Sequence, residues 1–325
     1  MIHATLKSKW DEDICLMLTI DNDKWNYLCD CGSASLLKPG ECLKTRAIFI
    51  SHTHVDHFIN FDTIMRHQLG LGKLNSICGP KGIAENVRGK LLGYQWNLIE
   101  TDSITYEIRE VNEQGRIAIY HLKPPKWELN FIKNLESNTI FKGEEFSVSY
   151  TILDHGIPSI AYLFQENTKL KIKETPYAPG AWISLLKKAY RQNLPEMEFY
   201  IGEKDFRAKD LFHLLYEKPG YKVGFVMDHL ASSANHEKII DLCKDADVLF
   251  IEAYYRKIDE AFAKKNYHST AQASGEVARK AGVQNVYFIH HSRRYSTEIE
   301  DLIEEARASF ENRDPIFKDN PIARF

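Results

Sequence analysis

The sequence predicts an α/β fold in which strands and helices pack in layers. Short apolar runs typical of strands dominate the first third of the chain, and strand-like and helix-like segments alternate in the second half. Several of these strand-like runs are followed directly by a carboxylate or an imidazole. No Gly/Ser-rich or Pro-rich linker divides the chain, so we expect a single domain over residues 1–325.

The elements follow one another in a regular order. Strands are expected at 14–20, 25–30, 47–50 and 76–79, and helices around 57–70 and 81–92. Residues 103–165 favour strands, with a turn-rich, polar interruption near 112–140. In the second half, strands at 222–227, 247–253 and 285–291 lead to helices near 234–244, 269–281 and 297–309.

Composition excludes several classes of protein. The net charge of -3 argues against a broadly basic nucleic-acid-binding surface, although it leaves room for a local basic patch. We see no leader-like apolar start and no run of about 18 apolar residues, so we expect a cytoplasmic protein without a membrane span. The six cysteines are scattered, which favours free thiols. Cys29 and Cys31 could form a metal pair, but buried thiols within a strand are the favoured interpretation.

Ligand-type side chains crowd the end of one predicted strand. His52, His54, Asp56 and His57 follow the apolar run 47–50 within a few residues. Single residues of the same type follow later strands: His155, Asp228, Glu252 and His290. Strand ends lie along one edge of a layered sheet, and neutral imidazoles and carboxylates are typical zinc ligands. Because Asp56 and His57 begin the next helix, they offer ligands in a second direction. We therefore expect two metal ions, which together can stabilise the attacking and leaving oxygens of an in-line displacement at phosphorus.

This pattern resembles the metallo-β-lactamase superfamily, which implies an αβ/βα four-layer sandwich with a dinuclear site along one edge. Four further segments resemble the ribonuclease Z group: "HHSRRY" at 290–295, "YHSTAQASGEVARKAG" from Tyr267, "IEA" at 251–253 and "YAPGAWISLLK" at 177–187. The last of these is similar to the segment beside that family's tRNA-binding arm and suggests an arm near 169–205. Four features depart from the pattern. Ile251 replaces a motif histidine, and "FIN" replaces the Gly-Leu that usually follows the first histidine block. The N-terminal Gly-Thr-rich motif is not recognisable, and 112–140 has no counterpart.

The resemblance implies a role for each candidate residue. One metal would be held by His52, His54 and His155, the other by Asp56, His57 and His290, with Asp228 as the bridge. The metals would be two divalent ions, with Zn²⁺ expected and Mn²⁺ or Fe²⁺ as alternatives. An alignment shifted by one residue would make His291, instead of His290, the metal ligand.

The resemblance also implies the catalytic and substrate-binding groups. Asp56 would orient the attacking hydroxide, and His268, held by Glu252, would protonate the leaving group. The substrate phosphate would be contacted by Ser292, Arg294 and Tyr295. We expect Asp30 to support the site through hydrogen bonds.

Three functions remain open at this point. The first is a ribonuclease Z-like phosphodiesterase, with the 3′ end of precursor tRNA as its candidate substrate. The second is a metal-dependent hydrolase of a small diester or a thioester, and the third is a catalytically silent RNA-binding protein. The cations between 169 and 191 fit a solvated helix as well as an RNA-binding arm, and homodimer formation is left open.

Overall fold

Strands and helices alternate through most of the chain. The structure is a computed structural model that describes residues 1–70 and 72–315. The strands are β1 (Ile2–Leu6), β2 (Leu16–Ile20), β3 (Asn26–Cys29), β4 (Thr45–Phe49), β5 (Lys73–Pro80), β6 (Ile104–Val111), β7 (Ile117–Leu122), β8 (Asn130–Leu135), β9 (Thr139–Lys142), β10 (Phe146–Asp154), β11 (Pro158–Glu166), β12 (Lys169–Ile172), β13 (Glu198–Ile201), β14 (Lys204–Arg207), β15 (Leu215–Lys218), β16 (Lys222–Val226), β17 (Val248–Glu252) and β18 (Asn285–Ile289). The helices are α1 (Pro39–Lys44), α2 (Val55–Phe58), α3 (Phe61–Gln68), α4 (Ile83–Leu92), α5 (Trp182–Arg191), α6 (Ala208–Leu211), α7 (Ser233–Leu242), α8 (Glu260–Lys265), α9 (Ala271–Lys280) and α10 (Ile299–Glu311).

The backbone contacts divide the chain into two units. The main unit comprises residues 1–165 and the chain from 221 onward, and the arm unit comprises residues 166–220. Each unit has its own hydrophobic core.

Two sheets form the centre of the main unit. The first has eight strands in sequence order from β1 to β8, and its central strands β3, β4, β5 and β6 are parallel. The second has the order β18-β17-β16-β11-β10-β9, in which β16, β17 and β18 are parallel. Parallel strands place their carboxyl ends along a common edge, so each sheet can present several loops to one site.

The core between the sheets is rich in aromatic side chains. Phe49 of the first sheet contacts Phe164 of the second edge to face, with ring centroids 4.9 Å apart, and it contacts Tyr162 at 5.4 Å. The Tyr162 hydroxyl donates a hydrogen bond to the carbonyl of Ile50, at the end of β4. These contacts fix the first sheet against the second close to the carboxyl end of β4.

Helices cover the outer face of each sheet. On the first sheet, α3 buries Phe61, Ile64, Met65 and Gln68, the spacing of one helical face. On the second sheet, a separate cluster joins β16 and β17 to α7 and α9. The order helices, sheet, sheet, helices is the predicted four-layer α/β arrangement.

The stretch 112–140 differs from the expected turn-rich interruption. It contains β7 and β8, which extend the first sheet, and the start of β9. The polar composition of this stretch is explained by solvent exposure and not by irregular structure, because β8 is an edge strand with nearly every residue exposed. Tyr120 and Phe131 pack edge to face across this pair, with centroids 5.7 Å apart.

The arm unit is built around one amphipathic helix and two antiparallel strand pairs. Helix α5 buries Trp182, Leu186 and Ala189, while Lys188 and Arg191 are exposed and Lys187 is half-buried. Strand β12 pairs with β15, and β13 pairs with β14. The basic side chains of this helix therefore lie mainly off its buried face.

Candidate metal centre

The loop after β4 places two histidines beside side chains from the second sheet. His52, His54, His155 and Asp228 each offer a ligand atom, and these atoms all lie within 4.8 Å of one another. His155 follows β10, and Asp228 follows β16. The first predicted ligand set is thus brought together from three separate loops.

A second cluster lies beside Asp228. It contains Asp56 and His57 from α2 and His290 from the loop after β18. Oδ2 of Asp228 lies 3.6 Å from Nε2 of His52 and 3.4 Å from Nε2 of His57, and its Oδ1 lies 2.7 Å from Nδ1 of His290. A single carboxylate therefore faces both histidine clusters, as the predicted bridging residue would.

Buried hydrogen bonds fix which nitrogen of each imidazole faces the site. His57 donates from Nδ1 to Asp30 at 2.7 Å, and this carboxylate also accepts from the backbone N–H and the hydroxyl of Ser51. His155 donates from Nδ1 to the carbonyl of Tyr267, also at 2.7 Å. Each bond leaves Nε2 as the free nitrogen, which is the usual way that second partners orient metal-binding histidines.

Two imidazole nitrogens that face the centre lack protein partners. Nε2 of His52 and Nε2 of His57 are buried without a hydrogen bond in the described part of the chain. Buried polar atoms are normally satisfied, so two at one point indicate a site for a ligand. Nitrogen and carboxylate oxygen donors suit divalent transition metals, and the clustered residues fit such ions.

Neighbouring charges in the cluster shift the pKa values of His290 and Asp56. Burial acts to lower the pKa of His290, but the Asp228 charge and hydrogen bonds to Asp228 and Asp56 raise it to about 9. Burial acts to raise the pKa of Asp56, but hydrogen bonds from His290 and His57 hold it below its usual range. Asp56 is therefore ionised at neutral pH, and a metal ion would compete with a proton for His290.

A carboxylate–imidazole pair stands next to the clusters. Oε2 of Glu252 lies 2.9 Å from Nδ1 of His268, and its Oε1 accepts from the backbone N–H groups of His229 and Ser269. Burial acts to lower the pKa of His268, but the Glu252 charge outweighs this and raises it. The ring of Tyr254 stacks on the His268 ring at 3.8 Å, which fixes its plane.

The three candidate phosphate contacts have different surroundings. Ser292 and Arg294 line a cavity of about 310 Å³ together with Asp56 and His290. Arg294 is held by Asp259 at 3.2 Å and packs over Phe262. Tyr295 does not line this cavity: its buried hydroxyl bonds to Asp259 and to the backbone N–H of Arg256. The contact of Tyr295 with the substrate phosphate stays a prediction.

Comparisons with known proteins agree with this geometry. No protein-family model matches the chain. The chain is 27% identical to ribonuclease Z of Deinococcus radiodurans over 95% of its own length and 96% of that protein. Its fold is similar to the metallo-β-lactamase fold protein YhfI from Bacillus subtilis, with a TM-score of 0.56, 13% identity and coverage of 95% and 93%. It is also similar to human tRNase Z, short form, with a TM-score of 0.58, 20% identity and coverage of 90% and 94%.

The chain has the metallo-β-lactamase fold and resembles ribonuclease Z. The resemblance and the ligand clusters together support a metal-dependent phosphodiester hydrolase. The fold class inferred from the sequence is confirmed. No helix within residues 1–70 and 72–315 is long and apolar enough to cross a membrane.

Several features of this ribonuclease Z-like site were not evident from the sequence. Tyr254 stacks on His268, and His229 contacts Glu252 through its backbone N–H. Trp10 lines the same cavity as Ser292 although it is more than 40 residues from the first histidine block. A signal for His229 was present, since it follows the strand-end Asp228, but nothing in the sequence marked Trp10.

Two other expectations concern neighbours of the site. His291 turns away from the clusters and donates from Nδ1 to the carbonyl of Ala253, so the structure places His290, and not His291, among the ligand atoms. Cys29 and Cys31 are buried free thiols outside the described metal clusters.

Proposed function

We propose that this chain is a two-metal phosphodiesterase of the ribonuclease Z type that cleaves precursor tRNA at its 3′ end. The observation that carries the proposal is the position of Asp228 between two imidazole clusters, with the Glu252–His268 pair beside them. Two ligand sets that share one carboxylate suit a two-metal hydrolase, and the pair suits proton transfer to a departing oxygen.

The metal ions would be held by the two predicted ligand sets. His52, His54 and His155 would bind one ion, Asp56, His57 and His290 the other, and Asp228 both. When bound, two divalent ions supply an activated water and stabilise negative charge at phosphorus. Zinc is the ion we favour, because the donors are imidazoles and carboxylates. Asp56, whose pKa is held low, is an ionised acceptor able to orient the attacking water.

His268 would supply the proton for the leaving oxygen. Its Nδ1 is committed to Glu252, so Nε2 is the nitrogen that can donate a proton to substrate. The raised pKa keeps the ring protonated over more of the neutral range, and Tyr254 holds its plane. A general acid needs this combination of charge and fixed direction.

Ser292 and Arg294 would bind the scissile phosphate. Both line the cavity that contains Asp56 and His290. Asp259 and Phe262 hold the guanidinium in place, which reduces the entropy lost when the planar donor meets a phosphate.

The basic face of α5 would bind the body of the RNA. Lys188 and Arg191 are exposed and Lys187 is half-buried, and the helix is anchored by Trp182 and Leu186. Cations on a fixed helix can contact phosphates without ordering a flexible segment first. The overall net charge of -3 implies that such binding is local.

A substrate panel tests the proposal. Purified metal-loaded protein is assayed on precursor tRNA with a 3′ trailer, bis-p-nitrophenyl phosphate, a cyclic nucleotide and a thioester. We expect cleavage of precursor tRNA at one position and hydrolysis of the nitrophenyl diester. Turnover of the cyclic nucleotide or the thioester without cleavage of precursor tRNA would replace the ribonuclease assignment by a small-ester hydrolase. Absence of turnover on all four would favour a silent RNA-binding protein.

A further inference from the structure

The amino ends of three parallel strands carry a group of cations that the proposed activity does not use. Lys24 precedes β3, Arg46 lies at the start of β4, and Lys73 begins β5. The metal ligands follow the carboxyl ends of the strands, so this group lies at the opposite edge of the first sheet.

These cations surround one indole ring. Nζ of Lys24 lies 5.0 Å from the centroid of Trp25, and Nζ of Lys73 lies 4.6 Å from the same centroid. Burial and the charges of Lys24 and Arg46 lower the pKa of Lys73. Like charges gathered at one ring repel each other, and a bound anion would relieve that repulsion.

The group borders a cleft of about 730 Å³, a volume suited to a nucleotide-sized molecule. Its basic lining residues include Lys24, Arg46, Arg109 and Lys142. The lining also contains three acids, Asp23, Glu107 and Glu144, so the positive charge that attracts an anion is local to Lys24 and Arg46.

Two of these acids, Asp23 and Glu107, have other partners. Asp23 accepts from the Tyr27 hydroxyl at 2.7 Å and from the backbone N–H of Trp25, and Glu107 is paired with Arg109 at 2.7 Å. Within the described ranges, neither Lys24 nor Arg46 has an ion-pair partner. Two donors thus remain open for an anionic ligand.

We propose that this cleft binds a small oligophosphate anion, such as the phosphate chain of a nucleoside diphosphate, at a site separate from the metal centre. Lys24 and Arg46 contact the phosphate oxygens, and Lys73 adds charge from the side of Trp25. The guanidinium supplies a planar fork of donors, and the ammonium groups act as point charges. The cleft faces away from the ligand clusters, so its occupation does not require the metals.

The test measures binding of ADP to the full-length metal-loaded protein by calorimetry, with AMP, adenosine and pyrophosphate compared. We expect ADP and pyrophosphate to bind more tightly than AMP, and adenosine not to bind. If pyrophosphate competes with ADP, the phosphate chain is the recognised part. Equal binding of adenosine and ADP would overturn the proposal.

Paired variants locate the site. Lys24→Gln with Arg46→Gln should weaken ADP binding by at least about 10-fold. The matched pair Arg116→Gln with Lys133→Gln, which lies outside the cleft, should leave it unchanged. Both pairs should keep hydrolysis of bis-p-nitrophenyl phosphate. If the first pair fails to fold, the single change at the exposed Lys24 gives a smaller loss in the same direction.

A metal-centre variant separates the two anion sites. Asp228→Asn should retain ADP binding, because the cleft does not contain the metal ligands. Binding that is lost in Asp228→Asn but kept in the Lys24/Arg46 variant would overturn the proposal. Displacement of ADP by a short single-stranded RNA at a lower concentration than pyrophosphate would also overturn it, since the ligand would then be RNA.

Discussion

Replacing Asp30 by asparagine should selectively weaken one of the two proposed metal sites. Asp30 is fully buried and accepts from Ser51 N at 2.7 Å, Ser51 Oγ at 2.8 Å and His57 Nδ1 at 2.7 Å. An amide keeps one acceptor oxygen but turns an N–H₂ group toward a neighbour. If that N–H₂ group faces His57, it meets the N–H at Nδ1, so two donors oppose each other. The imidazole must then carry its proton on Nε2, which is the nitrogen that would bind the metal.

The size of the effect follows from the contacts that are lost. Loss of such an orienting partner typically reduces metal affinity about 10- to 100-fold, which corresponds to roughly 1.4–2.7 kcal/mol. His57 belongs with Asp56 and His290, whereas His155 of the other ligand set keeps its own support from the carbonyl of Tyr267. We therefore expect Asp30→Asn to lose about one of two ions and to unfold at lower denaturant concentration.

Competition against a zinc chelator measures the effect, with metal content determined after gel filtration. Asp21→Asn is the matched control, because it makes the same chemical change at an exposed residue that pairs with the N-terminus. Unchanged affinity for both ions in Asp30→Asn would refute the proposed orientation of His57. Equal loss of both ions would show instead that the whole site had collapsed.

Further predictions concern the metals, the proton donor and the arm. Elemental analysis of protein purified without chelator should give two metal ions per chain. The ligand assignment would be contradicted if the content were well below one ion per chain and added zinc or manganese did not restore it. His268→Ala should keep its metal but turn over RNA about 10²–10⁴-fold more slowly, with a much smaller loss on bis-p-nitrophenyl phosphate, whose leaving group barely needs an acid; equal losses would exclude the general-acid role. Because Glu252 raises the pKa of His268, RNA cleavage should fall as pH rises through that raised value, and a pH–rate profile of His268→Ala should lack this alkaline limb. Neutralising Lys187, Lys188 and Arg191 together should weaken precursor-tRNA binding and reduce its salt slope by about 0.7–0.9 per lost phosphate contact, while hydrolysis of the nitrophenyl diester stays intact; an unchanged slope would exclude this helix.

The ligand clusters could be predicted because strand ends are visible in the sequence. An apolar run followed by a histidine or an aspartate marks where a buried strand leaves the sheet, and parallel strands bring such ends together. His52, Asp228 and His290 share this signal, although they are far apart in sequence. They come together because the end of β4 in the first sheet lies beside the ends of β16 and β18 in the second.

Other features could not be predicted because they depend on tertiary contacts. The polar stretch 112–140 forms strands since pairing with β6 supplies hydrogen bonds that its composition does not suggest. Tyr295 matches a motif position but is buried, because Asp259 lies where its hydroxyl points. The stacking of Tyr254 on His268 likewise depends on how the loop after β17 meets α9.

The distribution of the ligands along the chain has a consequence for synthesis. His52 and His57 emerge early from the ribosome, whereas His290 follows β18, the last strand of the described chain. Translation proceeds at about 5–20 residues per second, so more than ten seconds separate the first imidazole from the last. A nascent chain therefore carries an incomplete site for most of its elongation, and the proposed metal centre is complete only after β18 has joined the second sheet.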